Sequence, residues 1–167
     1  SINANKHVII CGYGRCGQNL ARMLERESIP YMALDLDPDR VRQAAAAGDS
    51  VVFGDAARLQ ALMAAGLSRA SAVVVTYQDV PAALKVLAHT RSHAPQVPVG
   101  IVSAREEPAG MRRALDHGAL GFIPKSADSD TIGQAIGAVL DGERWVPDEA
   151  HNAPATSRDE QETAQRL

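Results

Sequence analysis

The glycine run Gly12, Gly14 and Gly17, in the segment CGYGRCG, directly follows the apolar stretch HVIIC. This pattern constrains the fold more than anything else in the chain. A strand that ends in G-x-G-x-x-G and continues into an amphipathic helix must turn tightly at Gly12. It exposes its backbone at Gly14 and packs helix against strand at Gly17. The helix beyond, Gln18 to Arg26, places Leu20, Met23 and Leu24 on one face.

The same alternation recurs down the chain. Strands are expected at His7–Cys11, Tyr31–Leu36, Ser50–Phe53, Ala72–Thr76, Val97–Ser103 and Gly121–Pro124. Between them lie helices from Pro38 towards Gly48, over Ala57–Ala65, Val80–Ser92 and Pro108–His117, with a last one over Asp128–Leu140. Several strands are continuous apolar runs, as in a parallel sheet covered on both faces. The expected architecture is a single doubly wound, Rossmann-like α/β domain of three layers with strand order 3-2-1-4-5-6. It occupies residues 1–150, with a polar tail or linker over 151–167 and a tag-like lead-in at Ser1–Asn5.

Composition narrows the function classes. With 17 basic and 20 acidic residues the net charge is −3, which gives no electrostatic case for nucleic acid. No run approaches the roughly 18 apolar residues of a membrane span, and no signal peptide is legible, so a cytoplasmic location is expected. Cys11 and Cys16 read as reduced thiols, not as a disulfide or a zinc site. His89 and His93 stand one helical turn apart without a third ligand in sequence, so no metal is expected.

The glycine loop instead suggests an anion site at a helix N-terminus. Asp35 closes the next strand 23 residues after Gly12, where its carboxylate can accept from ribose hydroxyls and repel a 2′-phosphate. NAD(H) or an adenosine nucleotide (AMP or ATP) is therefore favoured over NADP(H). Around this pair, Tyr13 lies within the loop, and Arg15 is either a phosphate contact or an exposed loop arginine. Asp37, followed by Pro38, is a ribose contact or a helix cap. Asp55 contacts the base or caps the next helix. Thr76 and Tyr77 end the fourth strand beside the crevice. No acid–base set and no substrate domain accompany the site, so catalysis is not expected.

The segments HVIICGYGRCGQNLARML, ALDLDPDRV, VVFGDAARLQALMAAGL and AVVVTYQDVPAAL, over about residues 6–100, resemble the regulator-of-potassium-conductance family, or TrkA N-terminal domain. They are most similar to the cytoplasmic domains of glutathione-gated potassium–proton antiporters. The resemblance implies a ligand-sensing module that binds NAD(H) or AMP/ATP, often dimerises, and regulates transport without catalysis. By position it places Gly12, Gly14, Arg15 and Gly17 around phosphates, Asp35 on the ribose, Asp55 near the base and Asp37 close to the pocket.

From about residue 101 to 150 the text IVSAREEPAGMRRALDHGALGFIPKSADSDTIGQAIGAVLDGERWVP resembles instead the end of a two-component receiver domain, with Ser103 and Lys125 matching its hydroxyl and lysine. The acids such a receiver needs are missing, since Cys11, Gly12, Thr76 and Tyr77 stand in their places. Phosphorylation is accordingly disfavoured. A change of family inside one strand leads to the expectation of an engineered hybrid, either with a working nucleotide pocket or with a purely structural one.

Overall fold

The computed structural model describes residues 6–77, 79–104 and 108–147. The readings of Ser1–Asn5 and of the 151–167 tail lie outside the described residues. Six strands, β1 (Val8–Cys11), β2 (Tyr31–Asp35), β3 (Val51–Phe53), β4 (Ala72–Val75), β5 (Val99–Ser103) and β6 (Gly121–Pro124), form one sheet in the order β3-β2-β1-β4-β5-β6. Every pairing is parallel. The helices are α1 (Arg15–Arg26), α2 (Pro38–Ala46), α3 (Leu59–Ala64), α4 (Val80–His93), α5 (Pro108–Asp116) and α6 (Ser129–Leu140).

The apolar runs are explained by burial on both faces. In β1, Val8 and Ile10 join a core with Leu20, Ala21 and Leu24 of α1, Ala44 of α2, and Ala135 and Ile136 of α6. Ile9 and Cys11 point to the opposite core, with Leu62 of α3, Val86 and Leu87 of α4, and Met111 and Ala114 of α5. All four β1 residues are fully buried. A sheet sandwiched in this way permits no polar alternation.

Helix starts follow local chemistry. The Asp37 carboxylate accepts from the N–H groups of Asp39 and Arg40 with Pro38 in the first turn, and Asp79 and Asp128 cap α4 and α6 in the same manner. Two starts differ from the sequence reading. Helix α1 begins at Arg15, three residues before Gln18, because Gly17 is accommodated within the first turn. Helix α3 begins only at Leu59, because Asp55 first forms a side-chain turn with the Ala57 N–H at 3.0 Å. A 3-10 turn at Leu67–Arg69, absent from the sequence reading, follows Gly66.

β5 and β6 continue the sheet without a seam. Gly100 pairs with Val74 on one side and Gly121 on the other, and Val102 and Ile123 share a core with Ile10. The segment after α6 returns to the outer side of β6, where Trp145 donates to the Leu120 carbonyl and accepts from the Phe122 N–H. That contact covers part of an otherwise open edge.

His7 is buried just before β1, its Nε2 2.7 Å from the Ala65 carbonyl oxygen, with Nδ1 buried and without a partner among the described residues. Burial lowers its pKa from 6.5, against the raising effect of the Ala65 bond, and the nearby Arg69 charge lowers it further. The unfolded chain therefore binds the proton more readily. Stability present above pH 6.5 is lost as the pH falls below it. Urea midpoints measured between pH 7.5 and 5.5 should fall with acidification, and His7→Gln should flatten that slope. A second prediction concerns packing: a Cβ on Gly17 would lie 2.1 Å from the Gly12 carbonyl oxygen, whereas one on Gly137 meets nothing within 4 Å. Urea denaturation should show Gly17→Ala destabilised by about 3 kcal/mol or more. Gly137→Ala should be neutral or stabilised by up to about 1 kcal/mol.

Candidate functional site

The carboxyl ends of β1, β2 and β4 open into a cleft of about 1100 Å³, at the point where the strand order reverses. Ligands of doubly wound sheets bind at this position. Gly12, with φ of 105°, makes the turn out of β1, and a side chain there would lie 2.6 Å from Thr76 Oγ1. The Thr76 hydroxyl sits 2.8 Å from the Gly12 carbonyl oxygen and 3.0 Å from that of Cys11, so it ties the loop to the end of β4. Gly17 brings α1 down onto that loop. Gly14 is the opposite case: a Cβ there meets nothing within 4 Å, and no side chain caps the helix it starts. The first-turn N–H groups and the positive end of the helix dipole therefore face open space.

Across the loop, Asp35 is the most constrained carboxylate of the site, with its side chain 7% exposed. Its Oδ2 accepts from the Tyr13 N–H at 2.7 Å and its Oδ1 from the Asp37 N–H at 2.8 Å. Arg40 Nη1 lies 3.2 Å from Oδ2 and 3.4 Å from Oδ1. One carboxylate thus joins the glycine loop, the end of β2 and the first turn of α2.

Of the residues singled out from sequence, Gly12, Gly14, Arg15, Asp35, Asp55 and Thr76 line the cleft, as do Tyr77 and Lys125. Two side chains lie elsewhere. Asp37 caps α2 and is exposed. Tyr13 is 1% exposed, and its hydroxyl donates to Asp49 Oδ2 at 2.7 Å and accepts from Arg22 Nη2 at 2.9 Å. Arg22 pairs with Asp49 at 2.7 Å, and the Tyr13 ring stacks on Tyr31 with centroids 6.4 Å apart. Burial raises the Tyr13 pKa, and Arg22 holds Asp49 below the usual carboxylate range. Tyr13 is an anchor whose backbone, not its side chain, faces the site.

The sequence reading passed over Arg40. Its position in the first turn after Asp37 could have indicated it, since that turn leads back to the end of β2. Cys16 is half-buried and lines the cleft, where burial raises its pKa and the Lys125 charge opposes the rise. Cys11 below it is fully buried, with its pKa pushed up to about 12. His89 Nε2 lies 3.0 Å from the Ala57 carbonyl oxygen. Ser103 and Lys125 stay neighbours at the carboxyl ends of β5 and β6, where the Lys125 N–H donates to the Ser103 carbonyl oxygen at 2.8 Å; Lys125 lines the main cleft and Ser103 a second cavity of about 300 Å³.

The model of the TrkA-N domain matches residues 8–119. This chain belongs to the TrkA-N domain family. The match runs through the expected change of family near residue 101, and a relative extends it further. The putative K(+) efflux antiporter KefB of Alkalimonas amylolytica is 40% identical over 126 residues, which is 74% of this chain and 18% of that protein. The chain therefore spans under a fifth of that relative's length. Among solved structures, the TrkA-N domain of inner membrane protein ybaL from Escherichia coli superposes with a TM-score of 0.68 at 21% identity, covering 83% of this chain and 99% of that one. The Kef CTD of Shewanella denitrificans in AMP-bound form gives 0.62 at 24%, covering 81% and 90%. The GsuK channel bound to NAD gives 0.63 at 18%, covering 72% and 22%. These likenesses concern the fold. The unbroken family match and the continuous sheet leave the receiver fusion and the engineered hybrid without support. No helix among the described residues is long and apolar enough to cross a membrane.

The anchoring role of Tyr13 in this TrkA-N domain is testable. Tyr13→Phe keeps the stacked ring and the backbone bond to Asp35 but removes the hydroxyl shared by Arg22 and Asp49. The Arg22–Asp49 pair survives, so chemical denaturation should show a loss of about 1 kcal/mol. A loss above about 3 kcal/mol would show that the pair itself depends on the phenol.

Proposed function

We propose that this TrkA-N domain is a non-catalytic module that binds an adenine nucleotide, NAD(H) or AMP/ATP, and regulates potassium transport. The observation that carries the reading is the pairing of two features in one cleft. An uncapped helix N-terminus lies beside the open space over Gly14, and a buried, ordered carboxylate lies across the loop at Asp35. In this reading the phosphate approaches the backbone at Gly14 and the N–H groups of the α1 first turn, with Arg15 supplying positive charge. Asp35 accepts from the ribose. Gly54 and Asp55 flank the base, and Thr76 and Tyr77 form the floor.

The buried Tyr77 hydroxyl, without a hydrogen-bond partner among the described residues, supports a site completed by a ligand. Nucleotide-bound relatives of the same fold support the ligand class: the AMP-bound Kef domain and the NAD-bound GsuK channel. Similarity to an antiporter supports the transport context. Among the described residues no group of three or more His, Cys, Asp or Glu is placed to hold a metal ion.

Calorimetric titration tests the proposal. AMP, ATP or NADH should bind the wild-type domain with a dissociation constant below a millimolar. Gly14→Val adds a side chain at the proposed phosphate position, where its Cβ meets no protein atom within 4 Å. It should weaken binding tenfold or more while leaving the thermal midpoint within a few degrees. Unchanged affinity would remove the glycine loop from the site, and no binding of any of the three ligands would end the nucleotide reading.

A further inference from the structure

An ionised carboxylate offers about four acceptor positions, two on each oxygen. At Asp35 two of them are taken by backbone, the Tyr13 N–H on Oδ2 and the Asp37 N–H on Oδ1. These bonds hold the loop and the helix start, and they persist whatever enters the cleft. The remaining outward positions on both oxygens face a single nitrogen, Arg40 Nη1, at 3.2 and 3.4 Å. The Asp35 side chain is 7% exposed and lines the cleft together with Arg40. A ribose diol that reaches Asp35 must therefore take the positions that Arg40 occupies.

Arg40 is suited to give way. Its side chain is 42% exposed, it stands in the first turn of α2, and it lines the same cleft. Asp35 is its ion-pair partner among the described residues, while the neighbouring Arg42 is engaged by Asp39. The carboxylate is buried, but a ribose diol that replaces the guanidinium refills the same acceptor positions, so the exchange is close to balanced. The freed guanidinium stays tethered within a few ångströms of the ribose edge. There, a planar fork of donors suits a phosphate on the 2′-oxygen.

We infer that Arg40 is a specificity-determining residue of the cleft: it competes with the ribose diol for Asp35 and, once displaced, accepts a 2′-phosphate. This rests on the nucleotide-binding reading above. It also alters one expectation drawn from sequence, in which the bare charge of Asp35 excludes 2′-phosphorylated nucleotides. With Arg40 beside it, the ribose end of the cleft is close to neutral, and discrimination between 2′-hydroxyl and 2′-phosphate becomes modest.

The test is calorimetric titration of the wild-type domain and Arg40→Ala with NADH, NADPH, AMP and adenosine 2′,5′-bisphosphate, with thermal melts to confirm folding. Wild type should prefer NADH to NADPH by less than about tenfold. Arg40→Ala should bind NADH and AMP about threefold or more tightly, because the competitor is gone. It should bind NADPH and the 2′,5′-bisphosphate tenfold or more weakly. Opposite shifts in the two ligand classes are the signature, since a merely structural role would move all four in one direction. Shifts in one direction, or none, overturn the assignment of Arg40 and leave the nucleotide reading standing. If the wild type binds none of the four, both fall together.

Discussion

Helix α1 lies so close to the end of β1 that residue 17 has no room for a side chain. A single Cβ there would collide with the Gly12 carbonyl oxygen. Much of the molecule's working end depends on that approach. It drives Leu20, Ala21 and Leu24 into the core beside Val8 and Ile10, and it aims the first turn of the helix across the carboxyl edge of the sheet. With no side-chain cap and nothing above Gly14, that turn is left with polar groups facing an open cleft. The packing that stabilises the fold and the feature proposed to attract an anion are the same contact.

Around that contact the loop is held from three sides. Thr76 ties it to β4, and the Tyr13 hydroxyl ties it to Asp49 and Arg22 at the far end of α1 and α2. Asp35 ties its backbone to β2. Desolvating a carboxylate is expensive, and here the cost is offset by two short backbone bonds and a cation. The result is a preorganised acceptor. Its geometry is set by the fold, and Arg40 Nη1 faces both of its oxygens.

Much of this was legible in the sequence because it depends on local pattern. Continuous apolar runs such as VIIC and AVVV signal buried parallel strands. Gly12, Gly14 and Gly17 each have a steric role at a fixed spacing, and Asp37 before Pro38 marks a helix start. What escaped depends on contacts between distant segments. Tyr13 sits in the loop, but only the fold reveals that its ring turns away to stack on Tyr31. Arg40 looked like an ordinary helical arginine until α2 folded it back over Asp35. Trp145 lies past the last expected helix and is assigned to no element, yet it pairs with the edge of β6.

The hybrid expectation has a physical origin too. Late elements of doubly wound folds share one geometry, so a hydroxyl at the end of β5 and a lysine at the end of β6 suit either family. The unbroken family match through residue 119 distinguishes the two.

The central claim, that a nucleotide is held between the α1 N-terminus and Asp35, is tested most directly by amide chemical-shift mapping on ¹⁵N-labelled protein titrated with AMP. The largest shifts are predicted at Gly12, Gly14, Arg15, Asp35 and Gly54. Shifts centred instead on the second cavity, at Ser103, Gly110 and Arg113, would contradict the account.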